Sequence, residues 1–319
     1  MGPVWKKATS CTSGGWGSVS MWSARPTSRP WSCRSPATTN PPQKPDLHIM
    51  IPASKAHLPV AARTHPGLKR AHNEDRFSVA AYWTPNKGTP SLLAVVADGM
   101  GGHRAGEVAA EIAVETVHRH VAASDGRHPA AILEQALRLA NEAVRREGTD
   151  DDRRQGLGTT CVAAWVLGDR LYIASVGDSR IYLLREQTLH QLTTDHSWVQ
   201  EAVEKGALTP KQARRHPKAH LIRRYLGAPK GVRPDLRLKL RWGESDTQAR
   251  RNQGLPLRPG DRLLLCTDGL TDLVADEEIR EVLQTPSLEE ALDQLIALAL
   301  ERGGKDNITV VGISVPSRG

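Results

Sequence analysis

Three apolar runs in this chain each meet an aspartate at one end, and this limits the possible folds more than any other feature. The run "LLAVVA" leads into Asp98, "RLLLCT" leads into Asp268, and "ITVVGISV" begins two residues after Asp306. Such runs are short for helices and far too short to span a membrane. They read as strands buried on both faces, each with a carboxylate at its mouth. Asp98 is followed by Gly99, Gly101 and Gly102. A turn needing positive φ would use these glycines, and so would a bound ion with a phosphate beside it, which requires bare backbone nearby.

The rest of the chain supplies further strands and a few helices. "DRFSVAAYW" and "SLLAVVA" alternate or run apolar as strands do. Residues 106–122 and 129–146 place apolar side chains at helical spacing, and a third helix is expected at about 287–302. Between them "TTCVAAWVLGDRLYIASVGDSRIYLLREQTLHQL" reads as an antiparallel meander with Gly-Asp turns, and residues 196–226 as short helices broken by Gly206, Pro210 and Pro217. Long helices between groups of antiparallel strands give an α+β chain, two sheets sandwiched by helices.

The net charge is +8 over 319 residues, a value that would suit a nucleic-acid binder. Its position argues otherwise. Residues 1–60 hold seven lysines and arginines against Asp46 alone, which leaves the remainder close to neutral. A phosphate-backbone binder carries its charge on a folded face, so no nucleic-acid partner is expected. Residues 1–60, rich in Ser, Thr, Pro and Gly, read as a disordered tail or an extension upstream of a true start at Met50. The folded domain is expected over 61–316. The four cysteines form no C-x-x-C pair, and Cys161 and Cys266 lie in apolar runs as buried, reduced thiols. With no secretory or membrane-spanning segment evident, the expectation is a cytoplasmic protein without membrane contact.

Each aspartate alone is consistent with an ordinary turn, since Asp-Gly is a common hairpin signal. The set is harder to explain that way. Asp272 follows Asp268 at helical spacing, Asp178 stands at another strand end in "SVGDSRIY", and Glu74 and Asp75 come four and five residues after Arg70. Carboxylates and carbonyls without Cys or His at ligand spacing are hard oxygen donors, which favour Mg²⁺ or Mn²⁺ over Zn²⁺. Gathered at one locus they would repel one another unless cations stood among them.

The ordered motifs "RAHNEDRF", "VVADGMGGH", "GLGTT", "SVGDSRIYLL", "LTTDHSWVQEAVEKGALT", "LLLCTDGLTDLV" and "GGKDNITVV" resemble those of the bacterial branch of the metal-dependent (PPM, type 2C) serine/threonine protein phosphatases, from about residue 63 to 315. The resemblance implies a four-layer α-β-β-α sandwich with two central antiparallel sheets and a binuclear metal centre in the cleft between them. It implies two Mn²⁺ or Mg²⁺ ions. Asp98 would bridge them, Asp268 and Asp306 would hold the first, and the Gly99 carbonyl and Glu74 (through water) would serve the second. Asp178 and Asp272 match a third, weaker metal site, and Arg70 the arginine that grips the substrate phosphate. By itself Arg70 would read as a surface partner of Glu74. The implied activity is one-step hydrolysis of phosphoserine and phosphothreonine in proteins by a metal-activated bridging water, opposing a bacterial serine/threonine kinase. A monomer is expected.

Two departures stand out. Eukaryotic relatives carry a histidine where this chain has Met100, which cannot donate a proton; His103 is the nearest other candidate, and water is the alternative. The stretch "GESDTQARRNQG" (243–254) is additional to the usual strand-to-strand connection and reads as a solvated insertion or a partner contact. The segment 196–220 resembles the family's mobile flap. It holds Lys205, Lys211, Arg214, Arg215 and Lys218, which either steer acidic phosphopeptides or form a solvated face.

Overall fold

The computed structural model describes residues 49–85, 88–101, 105–150, 156–214, 216–241 and 243–317. In chain order the elements are β1 (Ile51–Pro52), β2 (Val60–His65), β3 (Arg76–Trp83), β4 (Pro90–Ala97), β5 (Gly99–Met100), α1 (Ala105–Ala122), α2 (Pro129–Asp150), β6 (Gly158–Thr159), β7 (Cys161–Leu167), β8 (Arg170–Val176), β9 (Arg180–Arg185), β10 (Thr188–Gln191), α3 (Trp198–Glu204), α4 (Pro210–Arg214), α5 (Asp246–Arg251), β11 (Leu255–Pro256), β12 (Arg262–Cys266), α6 (Asp268–Thr271), α7 (Asp276–Val282), α8 (Leu288–Glu301) and β13 (Ile308–Ser314). They form two antiparallel sheets, ordered β1-β3-β4-β7-β8-β11 and β10-β9-β12-β13-β2, with a small β5-β6 ribbon.

The period-two rule explains why the central strands are apolar throughout. Along β4, Leu93, Val95 and Ala97 face α1 and α2, packing with Ala113, Val117, Leu133 and Leu137. Leu92, Ala94 and Val96 face the other way, into a core shared with Ile181, Leu183, Leu263, Leu265 and Val311 of the second sheet. Along β12 the alternation repeats, Leu264 and Cys266 meeting Ile279, Leu292, Leu295 and Ile296 of α7 and α8. With both faces covered, no position is left for a polar residue, hence the unbroken runs. The layers are helices, sheet, sheet, helices, as expected. Trp165, the largest fully buried side chain, satisfies its indole N–H on Ser91 Oγ at 2.7 Å.

Several expectations are corrected. The supposed meander is divided: β7 and β8 belong to the first sheet, β9 and β10 to the second, and the chain changes sheets at Gly177-Asp178-Ser179. Gly177 takes φ +106°, and a Cβ there would stand 2.5 Å from Thr160 Cβ. The change of sheet depends on a bare backbone, which periodicity cannot reveal.

The 243–254 stretch is not a plain solvated loop. It folds into α5, started by a Ser245/Gln248 capping box, with Ala249 fully buried. Gln253 then fills three backbone gaps, accepting from Ile173 N–H at 3.0 Å and donating to Ile173 O and Leu236 O at 2.7 and 2.9 Å. The insertion braces β8 against the irregular 232–241 segment.

At the other end, Met50 is 3% exposed and its N–H donates to Ala122 O. Ile51 and Pro52 pair with Trp83 and Tyr82, while Ala56 and Leu58 pack into the inter-sheet core. Packed structure therefore includes residues 50–60, where tail was expected. Residues 1–48 lie outside the described set. No helix among the described residues is long and apolar enough to cross a membrane.

Candidate metal centre

The acids stand at one end of the two sheets because neighbouring strands of each sheet finish there. β4 delivers Asp98 from the first sheet; β12 and the start of β13 deliver Asp268 and Asp306 from the second. Asp178 sits on the connection between the sheets.

Asp98 is fixed by its backbone. Its N–H donates to Thr160 Oγ1 at 3.0 Å, and its carbonyl accepts from Thr160 N–H and Thr159 Oγ1 at 2.9 and 2.8 Å. Thr160 Oγ1 is paired in turn with Ser179 Oγ, beside Asp178. The carboxyl groups of Asp98 and Asp268 stand close enough for each to act on the other's ionisation. Desolvation, then the charges of Asp268, Asp75 and Asp178, holds the Asp98 carboxyl well above the usual carboxylate range. Asp268 is pushed up to about 6, by burial first and then by Asp272. Asp178 is raised by burial and by Asp268, and its Oδ1 is buried without a partner.

The Arg70–Glu74 loop is secured by a residue to which the sequence reading assigned no role. Asn307 Oδ1 accepts from Glu74 N–H at 2.8 Å, and its Nδ2 donates to Pro66 O and His72 O, both at 2.9 Å. One side chain thus ties the loop to the strand that carries Asp306. The signal available was its place, next to Asp306 in "GGKDN".

Asp75 was noticed but given no task. It is buried, accepts from Thr267 Oγ1 at 2.9 Å through Oδ2, and leaves Oδ1 unpartnered. Burial, then the nearby Asp268 and Asp306 charges against its hydroxyl bonds, raises it to about 7. Arg70 donates from Nη2 to Asp306 Oδ2 at 2.6 Å, so its bonded partner is a candidate ligand and not Glu74. Glu74 is raised by burial, with the Arg70 charge opposing.

The glycines answer to backbone crowding. A Cβ on Gly99 would stand 2.2 Å from Gly106 O and 2.6 Å from Glu74 O; one on Gly106 would stand 2.5 Å from Glu74 Oε2. The first turn of α1 therefore lies against Gly99 and the Glu74 carboxylate. Gly101 takes φ +143°. Gly101 meets the expected need for an unusual φ, while Gly99 is bare because backbone packs against it. Gly102 and His103 lie outside the described residues.

The expected residues act on one another by charge at this end of the sandwich: Asp98 feels Asp268 and Asp178, Asp268 feels Asp272 and Asp306, and Arg70 feels Asp306, Glu74 and Asp98. Asp272 caps α6, with Oδ2 3.3 Å from His220 Nδ1. Among the described residues no three acids, histidines or cysteines close on one point tightly enough to hold an ion. The donor set nonetheless suits a hard divalent cation: oxygen donors only, two orphaned buried carboxylate oxygens, and carboxyl groups raised by burial and by one another's charge. In the flap, Trp198 stacks on His216 with centroids 4.9 Å apart, and Lys218 Nζ lies over the indole. Lys218 is engaged in packing; Arg215 and the Arg214 side chain lie outside the described residues.

Comparison with known proteins bears on the family and the fold. A family model described as protein phosphatase 2C matches residues 68–308. The serine/threonine protein phosphatase PstP of Mycobacterium tuberculosis is 39% identical over 254 residues, covering 80% of this chain but 44% of that protein. The chain thus spans about half the length of that relative. The serine/threonine phosphatase stp of Listeria monocytogenes is 38% identical, over 78% of this chain and 92% of its own length. A crystal structure of the PstP catalytic domain in complex with two manganese ions superposes with a TM-score of 0.67 at 38% identity, over 82% of this chain and 99% of that one.

Proposed function

The chain belongs to the protein phosphatase 2C family, and from that premise we propose that it hydrolyses phosphoserine and phosphothreonine in proteins with two Mn²⁺ or Mg²⁺ ions, opposing a serine/threonine kinase. The observation that carries this reading is the cluster of mutually raised carboxyl groups at one end of the sandwich, with an arginine at its rim. Asp98, Asp268, Asp306, Glu74 and the Gly99 carbonyl would hold the two ions, and Asp178 with Asp272 a third, weaker one. The ions, when bound, supply a water of lowered pKa and neutralise phosphate charge.

The chain's own groups do the rest. Arg70 uses one Nη2 hydrogen on Asp306; the other Nη2 hydrogen and the N–H beside it on the same edge remain as a planar fork suited to two oxygens of a phosphate dianion. Its guanidinium keeps its charge throughout, since Asp306 and then the Glu74 and Asp98 charges raise its pKa further against desolvation. Asp75 Oδ1, buried and unpartnered, can accept a bond from water admitted to the cleft and so orient it. Asn307 keeps Arg70 and Glu74 in register with Asp306. Met100 cannot protonate the leaving alkoxide, so His103 or water would supply that proton; aryl phosphates, which leave without it, are turned over comparatively well. Neither described cysteine takes part: Cys161 and Cys266 are buried, and burial pushes both thiols up to about 12. The same reading has the protein act as a cytoplasmic monomer.

The test is hydrolysis of p-nitrophenyl phosphate and phosphothreonine peptides by purified protein with Mn²⁺, with Mg²⁺ and with chelator. Turnover that appears with either ion and disappears on chelation is expected. Protein that binds Mn²⁺ but leaves both substrates intact would refute the proposal.

A further inference from the structure

One segment borders the carboxylate cluster without belonging to it. Residues 220–226 connect the surroundings of Asp272 to those of Gly99. At their start His220 Nδ1 lies 3.3 Å from Asp272 Oδ2. At their end Leu226 exchanges backbone hydrogen bonds of 2.8 and 3.1 Å with Thr159, the residue paired with Gly99. Between these points Trp198 N–H donates to Leu221 O at 2.9 Å, and Arg223 N–H to His196 O at 2.7 Å. The Tyr225 ring covers Gly158, 2.8 Å from where a Cβ would be. The segment is pinned at both ends and in the middle.

This fixed rim carries two consecutive exposed arginines. Arg223 Nε stands 3.7 Å from Glu201 Oε2, with the two side chains 50% and 40% exposed, a weak surface pair. Arg224 has no hydrogen bond or ion pair among the described residues. From His220 to Arg233 the sequence contains no aspartate or glutamate. A guanidinium on a fixed backbone near the carboxylate cluster, with no anionic partner among the described residues, can engage an anion carried by the substrate. Because it need not release another partner, the pairing costs no existing bond.

We propose that Arg224, aided by Arg223, pairs with an acidic side chain flanking the phosphorylated residue, so that acidic phosphopeptides are the preferred substrate class. This rests on the phosphatase reading above and deepens it. An anionic peptide approaching a cleft lined with carboxylates meets repulsion, and the arginine rim offsets it locally. An exposed pair of this kind changes selectivity by about two- to fivefold.

The experiment compares two phosphothreonine peptides that are identical except for glutamate against glutamine at the flanking positions. The readout is the ratio of their kcat/KM values with the full chain and Mn²⁺, which cancels any loss common to both. The wild-type protein favours the glutamate peptide by about two- to fivefold, and the preference fades as ionic strength rises. Arg224→Ala brings the ratio towards unity, Arg224→Glu inverts it, and Arg224→Lys keeps part of it. A wild-type ratio of one, or a ratio that Arg224→Ala and Arg224→Glu leave unchanged, overturns the inference. Wild-type protein that turns over p-nitrophenyl phosphate yet shows no peptide preference sinks this inference alone. Protein inert to both peptides and to p-nitrophenyl phosphate removes the phosphatase reading as well.

Discussion

Gly269→Ala is a sharp perturbation of this site because it alters no charged group. Gly269 is the second residue of α6, directly after Asp268, and a Cβ built on it would stand 1.9 Å from Asn307 O and 2.9 Å from Asn307 C. Asn307 adjoins Asp306, so the contact sets the spacing between two candidate ligands. Both partners are backbone and neither can rotate aside. To reach an ordinary separation near 3.5 Å the two segments must part by about 1.5 Å. Alanine's better helix propensity returns up to about 1 kcal/mol, against an overpacking cost of about 1–3 kcal/mol. A small net destabilisation is expected in urea titrations. Activity should suffer far more, since a displacement of about 1 Å in a positioned site costs about 100-fold. Calorimetric titration with Mn²⁺ should show weakened binding, and kcat/KM on p-nitrophenyl phosphate should fall by about two orders of magnitude. A folded Gly269→Ala protein with Mn²⁺ affinity and kcat/KM within about twofold of wild type would show that this backbone contact does not set the geometry of the site.

Other perturbations separate the site from its frame. Asp98→Asn removes an acid whose charged form burial and its neighbours disfavour; the metal-free variant should unfold at a higher temperature than metal-free wild type, yet lose Mn²⁺-dependent turnover. In wild type a saturating ion adds about 2.7 kcal/mol at 100 times its dissociation constant, a gain the variant should lack in scanning calorimetry. Gln253→Ala leaves Ile173 N–H and O and Leu236 O without their partner and should cost about 1–3 kcal/mol in urea denaturation with kcat/KM intact. Asp235 is held well below the usual carboxylate range by its bonds to His196 and Arg237, which outweigh its burial. A carboxylate with a depressed folded pKa stabilises fully above its unfolded value and loses that contribution as pH falls through the folded one. The gap in urea midpoint between wild type and Asp235→Asn should therefore hold steady from about pH 7 to 5 and close only below about pH 4.

What the sequence disclosed follows physical lines. Short apolar runs bounded by acids give buried strands because no other element hides both faces in so few residues, and β4, β12 and β13 form where expected. Helical spacing locates α1, α2 and α8 to within a few residues at their ends. The sheet change at Gly177 was not legible, because β8 and β9 have the same alternation as a hairpin in one sheet; only the crowding against Thr160 distinguishes them. Helix α5 was missed because a single buried alanine, Ala249, gives no periodic signal in a polar stretch. At the site, acids could be picked out by their places at strand ends. Asn307 and Thr267 work through backbone groups remote in sequence, and nothing local marks such work.

The opposed origin of the aspartates has a mechanical consequence. Asp98 is rooted in one slab of the sandwich, Asp268 and Asp306 in the other, and Asp178 on the strip joining them. An ion held as proposed, by carboxylates from both slabs, would act as a removable rivet at that end of the molecule. Chelation should let the slabs gape there while their far edges stay shut, and amides along Asp98–Thr160 and Thr267–Thr309 should be the first to exchange with solvent.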